Sequence, residues 1–176
     1  MELLKAVEER RSIRRFRPDP VEEEKLTTVL EAARRAPSWK NGQCWRFIVV
    51  QSEEGRRALA QCLPLTNPGR KALVQAPVNV VLCADPAASE EWEGRAYYLV
   101  DAAIAMEHLV LAAAALGLGT CWIGMMYEEE IRRALAIPPA IRVVALTPLG
   151  YPAENPRPRP RKGLDEIVFR ERWEGL

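Results

Sequence analysis

Histidine is nearly missing: His108 is the single one in 176 residues. That argues against histidine-centred hydrolase chemistry unless His108 itself is the base. Cysteine is sparse and scattered. The four, Cys44, Cys62, Cys83 and Cys121, form no Cys-x-x-Cys pair, and with one histidine they offer no zinc ligands at close spacing. No metal is therefore expected. No stretch reads as a signal peptide, so reduced, mostly buried thiols in a cytoplasmic protein are expected. Excess charge is missing too. The formal net charge is +1, so no overall field selects nucleic acid or a membrane.

One uncharged run, residues 109–126 (LVLAAAALGLGTCWIGMM), has the length of a membrane span. Gly117, Gly119 and Gly124 punctuate it, and no basic cluster flanks it closely. A buried helix stopping at Gly117 and continuing as a strand fits better. What is present is a globular composition, 48% hydrophobic and 28% charged, at a length that suits one domain over residues 1–176. The cations are mostly arginine, which suits planar recognition of phosphate or carboxylate.

Leu3 to Arg10 reads as a short amphipathic helix. A second helix is expected from Asp19 as cap and Pro20 in the first turn, with Leu26, Val29, Leu30 and Ala33 on its apolar face and Pro37 at its end. Strands are expected at Trp45–Gln51, Val78–Ala84, Thr120–Gly124 and Arg142–Leu149, and helices at 55–63, Arg95–Leu116 and Tyr127–Ala136. Residues 64–77 suggest a mobile loop or a short helix. Arg95–Leu116 is apolar nearly all round, broken by Asp101, Glu107 and His108, so it belongs at the centre of something, and a subunit interface is attractive. The tail begins extended and proline-spaced, and its end is expected to form a strand leaving its own subunit. The order, roughly ααβαβαβαβ, indicates a layered α/β or α+β sheet protein without fixing the topology.

Four segments could carry chemistry, and each has a plain structural alternative. In Arg10-Arg11-Ser12-Ile13-Arg14-Arg15-Phe16, alternation along an extended chain puts Arg10, Ser12 and Arg14 on one face, a receptor for phosphate. The alternative is a solvated basic helix end. In Pro37-Ser38-Trp39-Lys40-Asn41-Gly42-Gln43-Cys44-Trp45, the Asn and Gln amides suit the edge of a heteroaromatic ring. The alternative is an ordinary turn. In Gly117-Leu118-Gly119-Thr120-Cys121-Trp122-Ile123-Gly124, backbone could approach a flat ligand, or the glycines could merely cap a helix and start a core strand. Arg157, Arg159, Arg161 and Lys162 lie between prolines and suit a phosphate clamp better than a nucleic-acid surface.

Together, and in this order, the segments resemble the FMN-dependent nitroreductase family over essentially the whole chain. RRSIRRF is similar to that family's opening R-R-S-x-R motif, and APSWKNGQCWRFIVV to its P-S-x-x-N-x-Q-P-W-x-F strand entry. LGLGTCWIG is similar to its central-helix exit and PRKGLDEIV to its closing segment. Three positions depart from the pattern: Cys44 and Gly163 stand where proline is common, and Trp39 replaces a small residue and bears on which acceptors fit.

The resemblance implies an α+β fold, an antiparallel-rich sheet flanked by helices, in a domain-swapped homodimer with FMN at the interface. It implies FMN contacts from Arg10, Arg11, Ser12 and Arg14, with Arg14 near the pyrimidine edge, where a fixed cation favours the reduced flavin. Arg159 and Arg161 would close on the phosphate. Pro37, Ser38, Trp39, Asn41 and Gln43 would reach the partner's flavin, and Trp122, Ile123 and Gly124 would meet the ring near N5. No dedicated acid–base residue is implied, because the chemistry belongs to FMN. The implied activity is ping-pong hydride transfer from NADH or NADPH to nitroaromatics, quinones or similar small acceptors, without nucleic-acid or membrane partners. The alternatives are a flavin-binding or storage protein without turnover, and a specialised branch such as a reductive dehalogenase or flavin-fragmenting enzyme. Residues 62–77 are short and do not group Glu, Tyr and Lys, which argues against the dehalogenase.

Overall fold

A computed structural model describes residues 3–173. Its centre is strand β2, Val78–Ala84, whose seven residues are all buried. β2 lies between β1 (Trp45–Val50) and β6 (Arg142–Gly150), and β5 (Gly119–Thr120) completes the sheet in the order β1-β2-β6-β5. Every neighbouring pair is antiparallel. The chain is thus α+β with an antiparallel sheet.

The alternation of β2 explains why it is apolar on both faces. Val78, Val80, Leu82 and Ala84 pack into one core with α2 (Glu23–Arg34) and the long α5 (Tyr97–Ala115). Val81 and Cys83 pack into a second core with Leu59 of α3 (Glu53–Gln61), Leu73 of α4 (Gly69–Gln75) and Ile131 of α6 (Glu128–Ala134). Full burial of each such aliphatic side chain contributes roughly 1.5–3 kcal/mol. Asn79 is the polar exception on this strand, and its Nδ2 donates to the carbonyl of Leu73, an otherwise open end of α4.

Two expected helix boundaries move. α2 starts at Glu23, not at Asp19, because the Asp19 carboxylate accepts from Arg17 Nε at 2.6 Å and Glu22 takes the cap position. Its apolar face is as expected, with Leu26, Val29 and Ala33 buried. Segment 64–77 contains the short helix α4. A small hairpin, β3 (Glu91–Trp92) and β4 (Arg95–Ala96), precedes α5 where the helix was expected to begin. Its turn needs positive φ at Glu93 and Gly94, and no hydrophobic alternation announces it.

The uncharged run divides into a helix and a strand as expected, but of the strand expected over Thr120–Gly124 only Gly119–Thr120 forms, with an isolated bridge from Ile123 to Leu146. α5 is by length and composition apolar enough to cross a membrane, yet it packs on α2 and the sheet. It ends at Gly117, which has φ 76°, and the Leu118 N–H reaches back to the Ala113 carbonyl at 2.8 Å. That closure needs a left-handed residue, which glycine supplies without strain.

Among the described residues the expected terminal strand is not formed. Residues Leu164–Ile167 make a single helical turn, α7, and Gly163 N–H donates to Glu166 Oε1 at 2.7 Å. With no partner strand at hand, the backbone satisfies itself locally. Leu164, Ile167, Val168 and Trp173 remain exposed. The first helix, α1 (Leu3–Glu9), buries only Ala6 and leaves Leu3, Leu4 and Val7 exposed.

Candidate functional site

Beyond α1 the chain runs extended beside β5. Ser12 bridges Thr120 in parallel, and Ile13 N–H donates to the Thr120 carbonyl at 2.8 Å. Four residues later the ribbon changes partner, with Phe16 bridging Pro152 and Arg17 N–H donating to the Tyr151 carbonyl at 2.9 Å. Segments separated by more than a hundred positions therefore meet here.

Their meeting makes a groove of about 570 Å³. Arg10, Arg11, Ser12 and Arg14 line one side, and Arg157, Arg159 and Arg161 line the other, with Glu8 as the acidic member. Arg11 is partly committed, since it donates to the carbonyls of Glu8 and Arg10 and so closes the end of α1. Among the described residues, Arg10, Arg14, Arg157, Arg159 and Arg161 form no ion pair with a carboxylate, unlike Arg17, Arg34 and Arg142 elsewhere in the chain. Guanidinium groups held together unpaired and outnumbering the single carboxylate attract a di-anion. Arg157 was counted in the basic tail but not among the expected ligands, and the proline spacing alone did not single it out.

A second groove of about 540 Å³ lies between α3 and α4, lined by Arg57, Arg70 and Lys71 among others. It suits an anion less well. Arg57 pairs with Glu53, and Arg70 donates to the carbonyl of Leu63.

The start of the glycine-rich segment lies beside the basic ribbon, where Gly117, Leu118 and Thr120 line a smaller cavity with Arg10 and Arg11; Trp122, Ile123 and Gly124 are not among the residues lining the basic groove. Ile123 exchanges both backbone hydrogen bonds with Leu146 at 2.9 Å, and its side chain packs against Gly69. Among the described residues, the N–H groups of Trp122 and Gly124 have no protein acceptor, so the open donors here flank Ile123 rather than include it. The half-exposed indole of Trp122 lies over Gly124, its Nε1 3.9 Å from where a Cβ would stand. Cys121 faces the ribbon from the buried side. Burial raises its thiol pKa, against the lowering effect of the Arg14 guanidinium and a hydrogen bond with Ser12. Burial also pushes Cys44 and Cys83 up to about 11, and Cys62 upward. None of these thiols is poised as a nucleophile. All four are free and buried.

The remaining expected residues lie elsewhere in the chain. Pro37, Ser38, Trp39, Asn41 and Gln43 surround a 3-10 turn, Trp39–Asn41, at the opposite end of α5. Trp39 N–H donates to Asp101 Oδ1 at 2.9 Å, and its ring lies 4.1 Å from that of Tyr97. Its Nε1 donates to Glu90, whose carboxyl is held below its usual range by Lys40 and then by Trp39. Ser38 Oγ accepts from Gln43 N–H at 3.0 Å, closing the turn on itself. The loop residues Lys40, Asn41 and Gln43 have positive φ and leave polar groups facing outward. α5 has 19 residues, so its ends lie about 27 Å apart at 1.5 Å per residue. Within one chain the two halves of the expected site cannot touch a single small molecule.

Asp101 was missed as a functional residue. It is 2% exposed and accepts from Trp39 N–H and from Ser89 Oγ at 3.0 Å. Its signal was an acidic residue on the buried face of an apolar helix. His108, the conditional base, faces the Ala32 carbonyl between α5 and α2, away from both segments.

The family model that matches this chain is the nitroreductase family, over residues 7–68 and 63–151. The chain belongs to the nitroreductase family. Its members are oxidoreductases. A nitroreductase family protein from Clostridium novyi NT superposes on it with a TM-score of 0.84 at 41% identity, covering 86% of this chain and 87% of that one. The FMN-dependent nitroreductase of Clostridium difficile R20291 has a TM-score of 0.83 at 31% identity, covering 96% and 99%. The FMN reductase (NAD(P)H) of Bacillus subtilis is 30% identical over an alignment 189 positions long that covers 98% of this nitroreductase-family chain and 74% of that protein.

Proposed function

We propose that this protein is an NAD(P)H-dependent FMN oxidoreductase that works as a cytoplasmic homodimer. The observation that carries the proposal is the basic groove. Arg10, Ser12, Arg14, Arg159 and Arg161 come from the two ends of the chain and converge on one opening. The donor set fits a phosphorylated flavin: arginines for the phosphate, and an unpaired Gly124 N–H with the Trp122 indole for the ring edge. FMN when bound would supply two-electron transfer from NADH or NADPH to a small acceptor such as a quinone or nitroaromatic, in a ping-pong sequence.

The chain's own residues bind, orient and shield. Arg14 holds positive charge beside the ligand throughout, which favours the more negative reduced cofactor. Several charged hydrogen bonds of roughly 1.5–3 kcal/mol each would hold the phosphate. The pocket supplies stacking and orientation, not proton transfer.

The separation of the two motif sets supports the dimer. Two copies of α5 packed antiparallel would bring the Trp39 turn of one chain to the Arg14 groove of the other. Leu99 and Val100 on α5, together with Leu3, Leu4 and Val7 on α1, are exposed in the single chain and would be covered. The apolar tail around Ile167 and Val168 would dock on the partner, and there the swapped terminus finds its place.

The test is to mix purified protein with NADH or NADPH without oxygen and follow the flavin absorption. Bleaching, reversed by a quinone, is expected. A yellow protein that neither cofactor bleaches would point to storage, and a colourless one that cannot be loaded with FMN would overturn the proposal.

A further inference from the structure

Strict alternation along the Arg-Ser-Ile-Arg-Arg-Phe ribbon would place Ile13 and Phe16 on opposite faces. Both are buried, at 6% and 7% exposure, and both pack with Ala72 and Ala76. The ribbon therefore changes phase between them. Its backbone shows where. Ile13 bonds to Thr120 and Arg17 to Tyr151, whereas Arg14 and Arg15 find no strand partner for their N–H groups. Both donate to a single carboxylate oxygen, Glu154 Oε1, at 2.6 and 3.1 Å. Arg15 returns its carbonyl to Ala153 N–H at 2.9 Å, closing the clamp.

We infer that Glu154 is a positioning residue for the anion groove: by gripping the Arg14 and Arg15 amides it fixes the bulge that turns the Arg14 side chain toward the ligand. This deepens the flavin reading and rests on it. Glu154 does not line the groove, and its other oxygen lies 4.0 Å from Arg15 Nε. Without the carboxylate, the two amides lose their acceptor and the segment has two ways to relax. It can straighten, which turns Phe16 out of its core, or it can slide along Thr120. Either moves Arg14 away from Arg10 and Ser12. A carboxylate in an arginine-rich stretch also gives charge-assisted backbone bonds, stronger than a carbonyl would make. The alternative reading is that Glu154 only stabilises the fold, in which case ligand binding would not depend on it through Arg14.

The test compares Glu154→Ala, Glu154→Gln and Arg14→Ala, singly and combined, in the full chain, after circular dichroism shows each variant folded. FMN and inorganic phosphate are titrated separately, and amide hydrogen exchange at residues 14 and 15 is followed in the cofactor-free protein. Glu154→Ala should weaken FMN binding about tenfold, the lower end of what one charged hydrogen bond controls. Glu154→Gln, which keeps an acceptor oxygen, should recover most of that loss. Adding Glu154→Ala to Arg14→Ala should cost no further affinity. The Arg14 and Arg15 amides should exchange faster in Glu154→Ala alone. Losses that simply multiply in the double variant, or amides whose exchange is unchanged in Glu154→Ala, would overturn the inference. A wild-type chain that takes phosphate but not FMN would sink the flavin reading only, and the phosphate titrations would then decide the role of Glu154.

Discussion

The Trp39 amide and the Asp101 carboxylate meet across 2.9 Å near the start of α5, and this bond ties a polar loop to the buried face of a mostly apolar helix. Asp101 also accepts from Ser89 Oγ, and no cation balances it in an ion pair among the described residues. A carboxylate buried this deeply persists because its oxygens are bonded. Asp101→Ala should lower the unfolding free energy by about 1–3 kcal/mol, the cost of stranding its donors. Urea denaturation checks this. A midpoint equal to that of the wild type would show that the loop is held by other contacts, such as the stack of Trp39 on Tyr97.

Arg14→Ala should weaken FMN retention about tenfold or more, since one charge-assisted hydrogen bond is worth about 1.5–3 kcal/mol. It should also make the bound flavin harder to reduce, because a fixed cation near the ring favours the reduced state. Equilibrium dialysis and a potentiometric titration measure the two effects. Unchanged affinity and unchanged potential would remove Arg14 from the site.

Acid should weaken the fold partly through Glu128. Its carboxyl is held below the ordinary 4.5, first by the Arg142 guanidinium and then by the Val143 amide. A carboxylate with a depressed folded-state pKa gives stability that is present above the unfolded value and is lost as pH falls through the folded one. Glu128→Gln should therefore be less stable than the wild type at neutral pH and should lose less on acidification below pH 4.5. Urea midpoints across that range check the slopes, and parallel slopes would exclude Glu128 as a contributor.

Truncation before Glu166 should destabilise the dimer, because Ile167 and Val168 are exposed in the single chain and have no other surface to cover. Sedimentation of the shortened chain decides it. A stable truncated dimer would refute the exchange of termini.

Local rules read much of this fold. The run Val78–Ala84 shows itself as a doubly buried strand, the Leu26-Val29-Ala33 spacing as a helix face, and Gly117 as a helix stop. Three things were not legible, each because a distant partner decides it. The start of α2 moved when Arg17 claimed the Asp19 carboxylate. The tail coiled into a short turn because a strand needs a neighbour that one chain does not offer. Glu154 looks like a stray acid in a basic tail until folding brings it under residues 140 positions away. For the site, alternation puts Arg10, Ser12 and Arg14 on one face, and all three line the groove, but so does Arg11, and alternation says nothing of the phase change before Phe16. The Trp39 turn, read alone, carries no hint that it sits a whole helix length from the arginines.

The proposed dimer places each flavin between the Arg14 groove of one chain and the Trp39 turn of the other, and this is the centre of the account. Sedimentation velocity of FMN-loaded protein, recorded at protein and at flavin wavelengths together, tests it most directly. The flavin signal should travel only with a species of two chains, at one FMN per chain. Flavin moving with a single chain, or a two-chain species that carries none, would contradict it.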